Sequence, residues 1–574
     1  MNSQSPLVFA PLRLCAVSSA LGMIVTLSPA IVREVDAATP SLRVVALTEQ
    51  PVPGTPSGVV FRDFNSANTT LNDAGQVAFL GYLTGSNIDG LNNEGIWSEG
   101  SGSLELVARK GDLAPGAPSG AKYFNFAHTM LNNAGASTFW AGLIDSTFVE
   151  NGHGIWSDAS GALELVAGPG TPAPGTPSGV TFGGLGGPVL NDAGQMAFHA
   201  GLVGDEVDET NDEGIWSEGP GSLTLMARQG SQAAGMPAGV NYDVIGSPVI
   251  NDYGRIAFSG YVSGNGIVNQ GVWSEGASGL SLVASGGTQA PGAPAGLNYE
   301  GFSSPAFNNF GHTAFWGYLA GPANGEPQDD GIWSEGSGSL ELVARRGNPA
   351  PGTPLGVNFG SQELVTFDSP VLSDSGKVAF RGFVSGPGVD EFNDEGIWSG
   401  EAGDLTLVAR AGSHAPGTPP GVVFETFFPW NGALQLNAVG QSAFTAFFTG
   451  NGVDFGRNNI GIWATDIAGA LHLIAREGDS LEVAPGDFRT IIDLNFVGEG
   501  TGNSDGRPSG INSRGQIAFW ASFTGGEGIF VSNLVAIPEP ASVGLLALGL
   551  PLLVMRNSRH VLALHSAKTE RRIP

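Results

Sequence analysis

The hexapeptide Leu42-Arg43-Val44-Val45-Ala46-Leu47, trailed by Pro53-Gly54-Thr55-Pro56, stands alone near the start of the chain. It copies a patch, Leu-x-Leu-Val-Ala-Arg, that recurs from Leu104, Leu163, Leu223, Leu280, Leu340, Leu405 and Leu471. Three further patches recur in fixed order between about residues 42 and 530, with a period of about 60 that marks a repeat architecture. Gly-Val-x-Phe starts at Gly58, Gly179, Gly356 and Gly421, with Tyr in the last place at Tyr123, Tyr242 and Tyr299. Asn-x-x-Gly-x-x-Ala-Phe starts at Asn72, Asn132, Asn191, Asn251, Asn308, Ser373, Asn437 and Asn512. Gly-Ile-Trp-Ser starts at Gly95, Gly154, Gly214, Gly271, Gly331, Gly396, Gly461 and Gly528, with Val272 and Phe530 as mild variants.

Each patch is short, rich in Val, Ile, Phe and Trp, and partly alternating, which reads as a strand. In the fourth patch Leu104, Leu106 and Ala108 fall on one side and Glu105, Val107 and Arg109 on the other. Between patches lie turn formers such as Asn72-Asp73-Ala74-Gly75 and Ala114-Pro115-Gly116-Ala117-Pro118. One period is therefore a four-stranded antiparallel meander. A sheet apolar on both faces has to be covered on both sides, and radial stacking of copies does this. The carboxyl-terminal unit ends on its second and third patches, Asn512 to Phe519 and Gly528 to Phe530, with a weaker first patch at Asp487 to Phe496 and no fourth. The orphan hexapeptide supplies what that unit lacks. The expected fold is all-β, an eight-bladed β-propeller closed by an N-terminal strand. A β-solenoid or tandem β-sandwich domains are the alternatives.

Spacings of 60, 59, 60, 57, 65, 64 and 75 between successive second patches put the extra length of the later units into loops. Gly accounts for 89 of 574 residues and Pro for 37, and only 13% are charged, a balance suited to many tight turns and poor in helix formers. The formal charge of -29 opposes phosphate backbones, so no nucleic-acid partner is expected.

Residues 1–37 carry Arg13, an apolar run from Cys15 to Ile31, and a small-residue stretch near Ala37. They read as a secretory signal peptide. Cys15 is the sole cysteine, so an exported mature chain has no disulfide and must rely on its core. Residues 38–533 form the repeat domain, 534–560 an apolar carboxyl-terminal segment and 561–574 a polar tail. Within 534–560, Pro538-Glu539-Pro540 precedes an uncharged run from Ala541 to Met555, followed by Arg556 and Arg559. Fifteen helical residues span about 22 Å, short of the roughly 30 Å hydrocarbon layer unless the bilayer thins or Val535 to Ile537 join in.

This end resembles the PEP-CTERM sorting signal, a Pro-Glu-Pro tripeptide, one apolar helix and an Arg-rich end. The resemblance implies that Pro538, Glu539, Pro540 and Arg556 form the sorting signal and that an exosortase processes it. It also implies an exopolysaccharide-producing bacterial setting, membrane anchoring before processing, and final location at the cell surface or in the extracellular matrix. The tail beyond Arg559 departs from the usual pattern. The repeats resemble a family of tandem-repeat, choice-of-anchor proteins described by Asn-x-x-Gly-x-x-Ala-Phe, for which no catalytic residue is implied.

No catalytic residues are expected. The histidines lack zinc-site spacing, no Gly-x-Ser-x-Gly elbow is present, and the Gly-rich strings lack the Lys of a phosphate loop. Trp97, Trp156, Trp216, Trp273, Trp333, Trp398 and Trp463 recur once per unit and read as structural core; Trp140, Trp316, Trp430 and Trp520 are the better candidates for exposed contacts. The Arg that ends most fourth patches is expected to cap a neighbouring loop. The loop before the third patch is acidic, most of all at Asp205, Asp208 and Asp212 and at Asp390 and Asp394. Oxygen ligands on a flexible turn suit calcium, and a solvated acidic turn is the plainer alternative. The function expected is a surface- or matrix-associated binding or structural module meeting exopolysaccharide or cell-surface components. An extracellular carbohydrate-active enzyme is the alternative, separable by whether the irregular loops 427–434 and 497–508 gather acidic or imidazole groups.

Overall fold

A computed structural model of the chain describes residues 42–145, 150–320, 329–361, 365–427, 434–496 and 505–532. Its repeated elements are strands, arranged as eight separate antiparallel sheets. The first sheet, blade 1, runs Val59–Leu71, Val77–Gly85, Glu94–Ser98 and Glu105–Arg109. Blade 2 repeats it from Lys122–Leu131 to Glu164–Ala167. Blades 3 to 7 split the first strand in two, as Thr181–Leu185 and Val189–Leu190 do in blade 3. The short second halves touch their counterparts in neighbouring blades and so line the axis.

Blade 8 holds Asp487–Phe496, Ile517–Phe523 and Gly526–Ser532, and its outer strand is Leu42–Leu47. Leu42 pairs with Ser532 and Leu47 with Gly528. A bulge in this outer strand falls between Val44 and Ala46, so Val45 is the extra residue. The same bulge occupies the fourth strand of blade 1, where Ile96 faces Ala108, Trp97 faces Leu106, and Val107 is left between them. Strict alternation therefore ends at this point, contrary to the simple two-sided reading of the fourth patch. Blade 8 also carries an extra hairpin strand, Ser480–Ala484, beside Asp487–Phe496.

Each seam between blades is filled by aromatic rings. In blade 1, Phe61 meets Trp97 edge-on at 5.0 Å and Phe79 stacks on Trp97 at 6.2 Å. All seven repeated tryptophans are fully buried. Their indole N–H groups donate backwards to the preceding connection, Trp97 to the carbonyl of Pro53 at 3.1 Å and Trp333 to that of Pro291 at 2.9 Å. The glycine of Gly-Ile-Trp is required by space: a Cβ on Gly95 would lie 2.8 Å from Cη2 of Trp97, and one on Gly331 2.9 Å from that of Trp333. The indole folds back over a strand that has no side chain there.

Candidate functional site at the propeller axis

The turn Asn72 to Gln76 follows the axis-lining strand of blade 1, and its equivalents encircle the axis. Within each turn the Asn side chain accepts a main-chain N–H, as Asn72 Oδ1 does from Gln76 at 2.9 Å. Its amide nitrogen then donates to the carbonyl of the same residue in the next blade. Asn72 donates to Asn132 at 3.0 Å, Asn132 to Asn191 at 3.1 Å, Asn191 to Asn251 at 2.9 Å, and Asn251 to Asn308 at 3.0 Å. Asn308 donates to Ser373, Asn437 to Asn512, and Asn512 back to Asn72. Only the seam between blades 6 and 7 lacks this bond. There Ser373 is too short to reach, and Ser375 N–H bonds the carbonyl of Ala438 at 3.3 Å.

A second belt is built from the following residue of each turn. Asn133 donates its main-chain N–H to Asp192 Oδ1 at 2.9 Å, and Asp192 donates its own to Asp252 Oδ1 at 3.0 Å. Asp252 continues to Asn309 and Asn309 to Asp374, while Ser513 donates to Asp73 Oδ1 at 2.8 Å. The amide of Asn133 bridges Asp73 and Asp192, and that of Asn309 bridges Asp252 and Asp374. Burial, then the neighbouring Asp252 and Asp73 charges, push Asp192 up to about 6 against the bonds from Asn133. Burial likewise raises Asp252, with Asp374 and Asp73 adding to it.

Below these belts the axis is occupied. The segment from Asp505 to Ile511 in blade 8 bonds to several distant blades: Leu190 N–H donates to the carbonyl of Gly506 at 2.9 Å and Leu71 N–H to that of Ser509 at 2.9 Å. Arg507 Nη2 donates to the carbonyl of Pro305 at 2.8 Å, and Gly510 N–H to Gln435 Oε1 at 2.8 Å. A chain segment touching blades 1, 3, 5 and 7 crosses the axis and plugs it. A cavity of about 20 Å³ remains between Asn72, Asn132, Asp192 and Arg507, room for about one water.

The acidic loops divide into two roles. In six of the eight blades the residue just before the third patch holds the next blade: Glu94 accepts from Phe126 N–H at 3.0 Å, Asp330 from Thr366 at 2.7 Å, Glu395 from Phe427 at 2.8 Å, and Glu527 from Phe64 at 2.9 Å. Gln270 serves Phe302 in the same way, and His153 serves Leu185. Earlier in the loop, Asp208 accepts from the main chain and hydroxyl of Thr210 at 2.9 and 2.6 Å, and Asp390 from Phe392 and the Asn393 amide. These carboxylates shape their own turns. Asp205 is exposed, and Asp212 and Asp394 are half-buried. Among the described residues no three acidic, imidazole or thiol side chains converge as a metal-ligand set. The fourth-patch arginines cap the same loops, Arg109 and Arg410 donating to the carbonyls of Asn92 and Asn393.

Of the less regular tryptophans, Trp140 and Trp316 are half-buried and bonded, to the carbonyl of Leu185 and to Asp330. Trp520 is also half-buried. Trp430, most of loops 427–434 and 497–508, and the sorting residues Pro538, Glu539, Pro540 and Arg556 lie outside the described residues. No helix among the described residues is long and apolar enough to cross a membrane.

Eight four-stranded blades, a non-covalent closing strand and a hydrogen-bonded axial belt define this chain as an eight-bladed β-propeller. It belongs to the family of unknown function DUF7453, whose profile matches it twice, over residues 30–270 and 264–544. No curated protein sequence matches it significantly. Among solved structures, the β-propeller domain of the Trilobed protease from Pyrococcus furiosus, which has an open velcro topology, is similar at 9% identity and a TM-score of 0.34, covering 70% of this chain and 96% of that one. The Dos1 propeller is similar at 11% identity and 0.34, covering 83% and 94%. An oligogalacturonate lyase in complex with manganese is similar at 14% identity and 0.28, covering 70% and 94%.

Proposed function

We propose that the protein is exported and displayed at the cell surface or in the extracellular matrix, where it acts as a binding or structural module without catalysis. The observation that carries this reading is the use made of the axis. The polar side chains gathered there are bonded to neighbouring blades, and Asp505 to Ile511 fill the space a substrate would need. The address rests on the sequence, where the signal-like segment 1–37 and the Pro538-Glu539-Pro540 end with its apolar run and Arg556 suit export, membrane anchoring and processing by an exosortase. Exopolysaccharide or another cell-surface component is the partner that setting offers. Calcium, if bound by the loops at Asp205 to Asp212 and Asp390 to Asp394, acts there as a clamp on turns.

The test is expression of the full chain in an exosortase-bearing host, followed by fractionation and protease shaving of intact cells. The chain is expected at the surface, and removal of residues 538–559 is expected to release it from membrane fractions. Protection of the full chain inside the cell, or turnover of a glycan by the purified protein, would overturn the reading.

A further inference from the structure

We infer that the rim of the axial mouth at blades 4 and 5 binds a neutral glycan chain, with Tyr253 and Phe310 as its stacking platform. The eight turns around the axis provide an internal comparison, because they share one backbone design. At the position two residues after the leading Asn, six of them carry Ala74, Ala134, Ala193, Ser375, Val439 and Arg514. The turn therefore does not need an aromatic ring. Tyr253 and Phe310 are the exceptions, in adjacent blades, and they stand 72% and 68% exposed. Large rings left in water at neighbouring positions mark a contact surface.

The backbone that carries the platform is fixed in place before any ligand arrives. Tyr253 N–H donates to Asn251 Oδ1 and Phe310 N–H to Asn308 Oδ1, each at 3.1 Å. The two turns are tied together by Asn251 to Asn308 at 3.0 Å and by Asp252 to Asn309 at 2.8 Å. Phe310 stacks on His312, ring centroids 6.2 Å apart and 27° between planes. Arg255 reaches from the first turn over the second, its Nη1 3.5 Å from where a Cβ on Gly311 would sit. A preorganised backbone lowers the ordering cost of binding.

The neighbouring polar groups set the ligand class. Each ring is joined in sequence to a member of the second belt, Tyr253 to Asp252 and Phe310 to Asn309. The carboxylate oxygens of Asp252 and Asp374 accept one bond each from the belt, and a carboxylate oxygen has room for a second donor. Such oxygens take hydroxyl groups and repel anions. The overall charge of -29 disfavours acidic polymers further. Flat apolar faces for stacking beside acceptors for hydroxyls match a neutral sugar chain.

This inference rests on the proposed role as an extracellular binding module, and its test separates the two. The full chain, its Y253A/F310A variant and its Y253F/F310Y variant are run in affinity electrophoresis through neutral glucan, mannan and galactan and through acidic oligogalacturonate, with unchanged melting temperature as the folding control. Retardation by at least one neutral glycan, weakened about tenfold or more in the double-alanine variant and kept in the aromatic exchange, is the expected result. No retardation by any neutral glycan, or retardation by oligogalacturonate alone, overturns the inference. Equal retardation of parent and double-alanine variant overturns this site and leaves the module reading standing. A loss of self-association in the double-alanine variant, seen by light scattering without glycan retention, would assign the rings to a contact between copies and overturn it too.

Discussion

The side-chain amide of Asn512 donates to the main-chain carbonyl of Asn72 at 3.0 Å, across 440 residues of sequence. Ser513 N–H reaches Asp73 Oδ1 at 2.8 Å beside it. The seam where the chain closes on itself is therefore bonded as the seams between consecutive blades are. Loop closure over so long a stretch costs entropy, and the belt and the outer strand Leu42–Leu47 offset that cost at the two radii of the ring.

The one gap in the belt makes a gain in stability accessible. Ser373 Oγ accepts Lys377 N–H at 3.1 Å, so it reproduces the bond within the turn and omits the bond to blade 7. Replacing Ser373 by Asn is expected to add an amide bond to the carbonyl of Asn437 and to stabilise by about 1 kcal/mol. The denaturation midpoint should rise with an unchanged slope. A fall would show that this seam has no room for the longer side chain.

Removing the closing strand exposes the apolar edge of blade 8. Leu42, Val44 and Leu47 pack on that blade's core, and the ladder to Gly526–Ser532 is lost with them. A chain beginning at residue 51 is expected to lose roughly 3 kcal/mol or more and to aggregate through the open edge. Melting temperature and light scattering equal to those of the full chain would contradict the ring.

The ring was legible from Leu42 to Leu47 because a strand carries its own partner preference: an orphan fourth patch at one end and a missing one at the other define a closure. Its bulge at Val45 was not legible, since it depends on how Leu106-type and Ala108-type positions meet the third strand. The axial belt was half legible. Asn at the head of each turn is visible in the sequence, but Asn also serves isolated turns, and the amide bond to the next blade exists only once the blades are packed. Glu94, Asp330 and Glu395 end the same acidic loops, and composition alone does not separate them from the exposed acids before them. A polar acceptor immediately before the third patch in every unit but the seventh, where Ile460 stands, is the signal that sets them apart, and its purpose is set by the first strand of the following blade. The plug from Asp505 to Ile511 shows in the sequence only as the extra length of the last unit and its irregular loop at 497–508; its path across the axis does not, because its partners are single groups on distant blades.

Trp333 tests the packing of the seams. It is fully buried, meets Tyr299 edge-on at 4.9 Å, and bonds the carbonyl of Pro291. Substitution by Ala is expected to destabilise by about 3–5 kcal/mol, through the cavity and the orphaned carbonyl. Denaturant melts read this directly. A loss under about 0.5 kcal/mol would mean that the indole is not in the core.

Asp192 makes the axis sensitive to pH. Its carboxyl titrates near 3.8 when unperturbed and is pushed up to about 6 in the fold, by burial first and by the Asp252 and Asp73 charges after it. Below about pH 4 both states hold the proton, and above about pH 6 both have released it. Between these limits the folded chain binds more protons than the unfolded one, so stability falls as pH rises through the window and stays low above it. Glu94, Glu218, Asp252 and Glu275 are also raised by burial and act in the same direction, while Asp466, lowered by His472 and two main-chain N–H groups despite its slight burial, acts in the opposite one. The chain is therefore expected to be more stable near pH 4.5 than near pH 7. Asp192→Asn removes one titrating member, so it should flatten the decline between pH 4 and 6 even though it gives up the Asn133 amide bond to Oδ2. The measurement is the denaturation midpoint of parent and variant across that range. Parallel curves would show that Asp192 keeps an ordinary carboxylate equilibrium.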